Sequence, residues 1–585
     1  VLILGGLLLV LSACDGPLRD RLTYDELMGE PVNSGGPLEN DLFLPSEDAG
    51  PAHHEFNGAL VLHAAEMRTS PAEFTTRKVL DRDTRLFPGV SLSFFSQNGH
   101  LVPVDRNLIL AGSLEPDGTF WDILVFPGRI WSEPGDRGWS RASFGFALAN
   151  ALEGETHNGV ATFLFNEHEV SDVRYQIVSQ GTPYYVVDFF DAWGQLDADF
   201  DDAPLEGVEE MAAAFSEEVS SRLPMAPLSD LEARFGVDVF RGFDGPMDPE
   251  NIVALGLVLD GTLYYSPCRT EYGPLPYCDV TRFGVWSVTK TAMGSMSMLR
   301  LAEKYGPEIF EERLIDYLGV EPPHDGWDHV TFGDALNMAT GIGEGTEKRD
   351  PNNPSDGYLE RYEEWYDVAT LREKVTAILS GSVHSWGPGQ VFRYRDQDIF
   401  LLGAAMDGYL KLKEGPDATL WEFILEQIYR PIGVRFAPAN LTMEPDGSIG
   451  VPQIAGGYYP TMEDLARIAM LIQNGGAHQG RQILHPDKLA EMMYQTPIRG
   501  LPSGPPQDGG AYHMAVWHRL FEVVPGCEVE LSYMSGWGGH KILMLPNGLT
   551  AIRIAHAVAG DEASGDPTGM ARVAHRIRSL CPDEE

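Results

Sequence analysis

Basic side chains are scarce in this chain. Lysine and arginine number 42 against 86 aspartates and glutamates, a formal net charge of −44. A polyanion of that size is repelled by a nucleic-acid backbone, which excludes a general nucleic-acid-binding role. The acidic surplus fits a strongly solvated surface, with a saline environment as the other reading. Beyond the first thirteen residues no apolar run is long enough for a transmembrane helix. Cysteine is rare, five in 585 residues, and none has zinc-ligand spacing. The phosphate loop G-x-x-x-x-G-K-[ST] and the zinc-protease pattern H-E-x-x-H are missing. Gly341-Ile342-Gly343-Glu344-Gly345 lacks dinucleotide-fingerprint spacing. The sequence therefore implies no metal, nucleotide or flavin cofactor.

Residues Val1 to Ala13 read VLILGGLLLVLSA, and Cys14 follows. The run is too short to span a membrane and has the length of a signal-peptide apolar segment. Leu11-Ser12-Ala13-Cys14 resembles the bacterial lipoprotein signal, in which the cysteine is lipidated. The expectation is a chain anchored to the membrane through Cys14 at the bacterial cell envelope, facing the periplasm or exterior. An ordinary cleaved signal is the alternative. The remaining cysteines of an exported protein can pair. Cys268 and Cys278 flank a loop-like segment and form the expected local bridge, and Cys527 with Cys581 would tie the last strands to the C-terminal helix; free buried thiols are the alternative.

The length leaves room for two or three domains. Residues 1–14 read as the signal and 15–50, rich in Gly, Pro, Asp and Glu, as a tether. Residues 51–200 are β-rich. Val90 to Phe95 precede Asn98-Gly99, a hairpin turn, and further strands are expected at Leu101–Leu110, Thr119–Ile130, Ser143–Leu148, Val160–Phe165, Val173–Val178 and Tyr184–Phe190. Such short strands imply a sandwich or barrel-like domain. It holds no catalytic constellation and reads as a structural or binding module, with cell-envelope polymer as a possible partner. Residues 201–230 form an acidic linker and a helix with Val208, Met211, Phe215 and Val219 on one face. Residues 231–585 mix strands and helices. Two early strands, Ile252–Leu259 and Thr262–Tyr265, and late strands near Leu531, Ile542 and Leu549 enclose a helical middle, which implies one antiparallel sheet built from both ends of the segment.

Chemistry concentrates in three places in 231–585. Ser287-Val288-Thr289-Lys290 is expected to open a helix, and residues i and i+3 share a helix face, so Ser287 Oγ and Lys290 Nζ can meet. Burial disfavours an ammonium, so the expectation is a neutral Lys290 that takes the serine proton. A lone S-x-x-K arises by chance about once in a chain of this size and needs support downstream. Trp386-Gly387-Pro388-Gly389 leads to Tyr394-Arg395-Asp396, placing a loop tyrosine before an apolar helix, where it can relay a proton. Trp537-Gly538-Gly539-His540 precedes a strand, and its glycines allow close backbone approach and an N–H for an oxyanion.

In this order the three motifs resemble the serine β-lactamase and penicillin-binding-protein-like hydrolases, most of all class C β-lactamases and family VIII carboxylesterases. Val330–Ile342, Gly456–Arg467 and Asn474-Gly475-Gly476 share the likeness, which covers about 205–585. The resemblance implies an α+β fold, an antiparallel sheet flanked by helices plus a helical subdomain. It makes Ser287 the acylated nucleophile, Lys290 the base, Tyr394 the proton relay, and the N–H groups of Ser287 and His540 the oxyanion hole. Trp537, Gly538, Gly539, Asp396 and Arg395 become candidate substrate contacts. Two departures stand out. Relatives usually carry Asn where Asp396 stands, and Lys or His where Trp537 stands; that cation recognises a substrate carboxylate. A Trp-Gly-Gly motif looks like the family VIII esterases and favours an uncharged ester or amide, unless Arg395 or Lys541 replaces the charge. The reading is a small-molecule carboxylesterase. A β-lactamase, D-amino-acid peptidase or amide hydrolase of the same fold is one alternative, and a binding protein that has lost its chemistry is the other.

Overall fold

The computed structural model describes residues 20–29, 35–76, 82–112, 118–184, 186, 188–343, 361–504, 509–557 and 565–581. Cys14 and the expected anchor signal lie outside the described residues.

Eleven strands of the N-terminal region form one sheet. They are β1 (Asn57–Leu62), β2 (Arg68–Ser70), β3 (Val90–Gln97), β4 (His100–Pro103), β5 (Asp122–Val125), β6 (Gly128–Trp131), β7 (Ser140–Asn150), β8 (Glu153–Phe165), β9 (Val173–Gln180), β10 (Asp191–Leu196) and β11 (Ala198–Asp201). The order is β11-β1-β3-β4-β6-β7-β8-β9-β10-β2, with β5 beside β7. β10 and β11 are separated by Asp197 alone, yet they stand near opposite ends of that order. The sheet must therefore curl round on itself, a barrel-like closure that leaves few open edges. Phe56, Phe94, Phe144, Phe163 and Phe165 are fully buried inside it and meet mostly edge to face.

Local sequence explains the turns. Asn98 and Gly99 both have positive φ, 50° and 77°, as a tight right-twisting hairpin requires. Several expected strands are shortened or displaced. Phe126-Pro127 divides 119–130 into β5 and β6, because proline cannot donate to a ladder. Of the strand expected at Tyr184–Phe190, residues 185 and 187 lie outside the described residues and Val186 bridges Thr76; the next strand is Asp191–Leu196.

The expected tether does not hang free where it is described. Leu22, Leu27 and Phe43 pack with Val160 and Leu164 of β8. Asn40 is fully buried and donates to Thr270 Oγ1 and to the Gly273 carbonyl. Apolar residues spaced through a Gly/Pro-rich segment are enough to seat it. Helix α1 (Val208–Ser220) forms in the linker and sets Phe215 against Phe95 and Val102, whereas Val219 is left exposed at 45%.

The second sheet has nine strands: β12 (Met225–Pro227), β13 (Ile252–Leu259), β14 (Thr262–Tyr265), β15 (Leu501–Pro502), β16 (Gly510–His513), β17 (Val516–Val524), β18 (Cys527–Gly536), β19 (His540–Met544) and β20 (Thr550–Ala555). Their order is β12-β14-β13-β20-β19-β18-β17-β16-β15, so strands from both ends of the segment interleave, as the hydropathy pattern implied. One face is covered by α7 (Thr568–Ile577), whose Met570, Ala571, Val573 and Ala574 pack on Leu531, Leu543 and Ala551. Between the early and late strands lie the helices α2 (Met296–Tyr305), α3 (Tyr362–Tyr366), α4 (Leu371–Leu379), α5 (Asp396–Glu414) and α6 (Met462–Gln473). Disulfides join Cys268 to Cys278 and Cys527 to Cys581. Among the described residues no helix is long and apolar enough to cross a membrane, and no cluster of His, Cys, Asp and Glu could hold a metal ion.

Candidate active site

Ser287 follows a strained residue. Trp286 has φ 49°, a left-handed conformation that costs a bulky side chain about 1–3 kcal/mol. The chain then enters one wide turn, a π-helix over Lys290–Ser295, before continuing as α2. Such turns are frequent where a helix must re-aim a side chain. Ala292, Met293, Met296 and Leu299 are fully buried and fix this segment in the core.

The structure brings the first two motifs together. Lys290 Nζ donates to Ser287 Oγ at 2.7 Å and to the Ala455 carbonyl at 2.8 Å. Tyr394 donates its phenolic proton to Ser287 Oγ at 2.6 Å. The tyrosine comes from the loop after Gly387 and Gly389, both at φ 73°, which turn the chain back beneath the nucleophile. Its ring stacks on Trp517 of β17, 5.9 Å between centroids. Lys290 Nζ lies 4.9 Å from the centroid of the same ring.

The expectation of a neutral lysine is corrected. Burial does lower the proton affinity of Lys290. The charge of Asp396 opposes it, helped by Tyr394 and by hydrogen bonds to both, and the net pKa is raised. Asp396 Oδ1 lies 2.5 Å from Lys290 Nζ, and its Oδ2 accepts from the Tyr362 hydroxyl at 2.7 Å. Tyr394 is likewise held as a phenol: burial raises its pKa more than Lys290 lowers it. The resting site is an ammonium–carboxylate pair beside a neutral serine and a neutral phenol.

Two candidate substrate contacts are corrected as well. Asp396 is buried against Lys290 and Tyr362 instead of facing substrate. Arg395 is 5% exposed; its guanidinium donates to the Ile342 carbonyl and lies 3.6 Å from Asp398. Lys541 does not supply a charge to the nucleophile either. Neighbouring strand residues point to opposite faces, so it leaves the face of His540 and donates to Ser535 Oγ at 2.7 Å.

The third motif turns tightly over Trp537–Gly539, with Gly538 at φ 80° and Gly539 at φ 97°, before β19 begins at His540. Gly536 packs so closely on the Val285 carbonyl that a Cβ there would overlap it. This contact brings the strand end against the residues leading into Ser287. The His540 imidazole is buried, which pushes its pKa down to about 3, and its Nδ1 accepts from the Ala555 N–H. It is neutral at any physiological pH. Trp537 is 44% exposed.

Sequence reasoning missed what the N-terminal sheet contributes. Thr156 of β8 accepts from the Gly284 N–H at 3.0 Å, and Asn158 donates to the Arg282 carbonyl at 2.8 Å. A Cβ on Gly284 would overlap the Gly154 carbonyl, one on Gly154 the Gly456 carbonyl, and one on Gly538 the Thr182 hydroxyl. Tyr184 meets Trp286, Tyr362 and Tyr366 edge-on at 5.7, 6.3 and 5.6 Å. The sheet and the segment that follows β9 thus touch the approach to Ser287, the third motif and α3.

Solved structures similar to this chain include a penicillin-binding protein homologue from Caulobacter crescentus (17% identity, TM-score 0.40, 59% of this chain and 97% of that one). Another is EstCE1, a hydrolase with promiscuous acyltransferase activity (16%, 0.42, 60% and 99%). A third is a D-stereospecific amidohydrolase from Streptomyces sp. (16%, 0.39, 57% and 97%). No curated protein matches the chain. The β-lactamase family model matches residues 253–548, half of the chain, and the chain belongs to that family of acyl-enzyme serine hydrolases.

Proposed function

We propose that this serine hydrolase is a carboxylesterase acting on uncharged small-molecule esters through an acyl-enzyme on Ser287. The observation that carries the reading is the charge around the third motif. Trp537 stands exposed where relatives place a cation, and the two replacements the sequence offered, Arg395 and Lys541, are committed to Ile342 and Asp398 and to Ser535. A substrate carboxylate would lose its water without gaining a partner there.

In this reading Ser287 Oγ attacks the ester carbonyl and its proton leaves on the Lys290 side. The oxyanion is received by the N–H groups of Ser287 and His540; one such donor is worth about 3–4 kcal/mol of barrier. Tyr394, already bonded to Oγ, gives a proton to the departing alkoxide. A fluorophosphonate probe should label Ser287, and short-chain nitrophenyl esters should give a burst of acylation while a chromogenic cephalosporin is turned over far more slowly. Absence of labelling would leave a binding protein, and faster cephalosporin turnover a β-lactamase.

The chain is further proposed to be exported and anchored through Cys14. The two disulfides support this, because such bridges persist in oxidising compartments. Incorporation of labelled palmitate into the wild type and not into Cys14→Ala tests it.

A further inference from the structure

Four polar partners surround the three protons of Lys290 Nζ: Ser287 Oγ at 2.7 Å, the Ala455 carbonyl at 2.8 Å, Asp396 Oδ1 at 2.5 Å and the Tyr394 hydroxyl. An ammonium so arranged presents no lone pair to Ser287. Tyr394 donates to the same Oγ, and as a phenol it is a weak base. A serine proton therefore has no acceptor unless another leaves the cluster. Asp396 is the carboxylate in reach. It is the first residue of α5, a helix of 19 residues whose N-terminus favours negative charge, and its other oxygen is held by Tyr362.

We propose that Asp396 is the proton-accepting partner of Lys290: as Ser287 attacks, Lys290 passes one proton to Asp396 Oδ1 and takes the serine proton in its place. The inference rests on the acyl-enzyme reading above. In the step the Oγ–H bond breaks and the bond from Oγ to the acyl carbon forms, while the carbonyl π pair moves onto oxygen. The serine proton binds Nζ, and the Nζ proton facing Asp396 moves to Oδ1. Lys290 stays an ammonium, Asp396 becomes a neutral acid, and the negative charge moves from carboxylate to oxyanion. On collapse the bond to the leaving oxygen breaks. That oxygen takes the Tyr394 proton, Tyr394 regains one from Lys290, and Asp396 returns its own.

The asparagine usual at this position cannot accept a proton, which gives the departure at Asp396 a chemical meaning. The groups facing Asp396 agree with the assignment. Tyr362 of α3 donates its hydroxyl to Asp396, and burial raises the pKa of Tyr366 of α3, of Tyr394 and of Tyr512 of β16, which holds them as phenols; Lys290 is the cation in contact, and Arg395 is turned toward Ile342. The charge of Glu153 also raises the pKa of Tyr366.

The test uses the full chain, Asp396→Asn and Asp396→Glu, with burst acylation by a nitrophenyl ester from pH 5 to 10. The wild type should lose activity only on the acid side. Asp396→Asn should acylate about a hundredfold or more slowly at pH 7, with its limb moved to higher pH than that of the wild type, because only the loss of a proton from Lys290 itself then supplies a base. Asp396→Glu should keep the wild-type limb with partial activity. A variant Asn enzyme as fast as wild type, or one whose limb moves to lower pH, would overturn the proposal, because the carboxylate would then only have held Lys290 protonated. Should the Asn variant fail to fold, the wild type decides alone: acylation rates in mixed light and heavy water should follow a curve indicating two protons in flight, and a straight line overturns it. If the wild type is not labelled at Ser287, the hydrolase reading fails as well; normal labelling with an unaffected Asp396→Asn sinks the relay alone.

Discussion

Gly154 of the N-terminal sheet lies against Gly456 of the hydrolase domain so tightly that a methyl group on Gly154 would overlap the Gly456 carbonyl oxygen. The residue before Gly456 is Ala455, whose carbonyl holds Lys290 Nζ at 2.8 Å. A contact made by the other domain is thus one residue away from the carbonyl that binds Lys290. Overpacking at such a site costs about 1–3 kcal/mol, and the strain falls on the segment that positions Lys290. Gly154→Ala should lower kcat about tenfold with little change in KM. Unchanged kcat in a folded variant would show that the two domains are mechanically independent.

Tyr184 offers a milder version of the same coupling. It meets Trp286 and Tyr366 edge-on, and such aromatic contacts contribute about 0.5–1.5 kcal/mol each. Tyr184→Phe keeps the ring and should behave like wild type, whereas Tyr184→Ala should reduce kcat/KM several-fold to tenfold. Equal losses in the two variants would assign the effect to the hydroxyl instead.

The pairing of Ser287 with Lys290 was readable because it is local: the two stand three positions apart, and helix geometry alone brings them together. Tyr394 was readable from its Pro-Gly turn, and the interleaved sheet from strands at both ends of the domain. The protonation of Lys290 was not, because it depends on a carboxylate 106 positions away coming within 2.5 Å. Burial was foreseen; the counter-charge that outweighs it is a matter of distance. The seating of residues 35–50 was hidden for a similar reason. Composition reports average polarity, whereas Phe43 and Asn40 are single residues that find partners on β8 and beyond Cys268.

Specificity should respond to charge at the third motif. Trp537→Lys places an ammonium in the turn before His540, where Trp537 is 44% exposed. A hydrogen bond to a charged group contributes about 1.5–3 kcal/mol, so the cephalosporin-to-ester ratio of kcat/KM should rise roughly ten- to a hundredfold. A ratio that stays fixed would mean that the substrate carboxylate does not approach this turn.

The longer disulfide should matter for stability and little for chemistry. Cys527–Cys581 spans 54 residues and ties the start of β18 to the segment after α7. Closing a loop of that size stabilises a fold by about 3–4 kcal/mol through the unfolded chain. The double variant Cys527→Ser, Cys581→Ser should unfold at lower urea while its burst amplitude at 25 °C stays near wild type. Loss of the burst without loss of stability would place the bridge in the active site's support.

Lys541 makes stability depend on pH in a direction opposite to that of an ordinary salt-bridged lysine. Burial first, then Arg553, push its pKa down to about 7, against an ordinary value of 10.5, with Asp566 opposing. Between those values the unfolded chain carries a proton that the folded chain lacks. Its contribution is therefore most unfavourable below about pH 7 and fades as pH rises toward 10.5. Lys541→Met keeps the bulk and removes the titration. The variant should be more stable than wild type by on the order of 1–3 kcal/mol at pH 6–7, with the gap narrowing toward pH 10, measured as urea midpoints. A gap that is constant or widens with pH would mean that Lys541 stays protonated in the fold, its charge satisfied by Ser535 and Asp566.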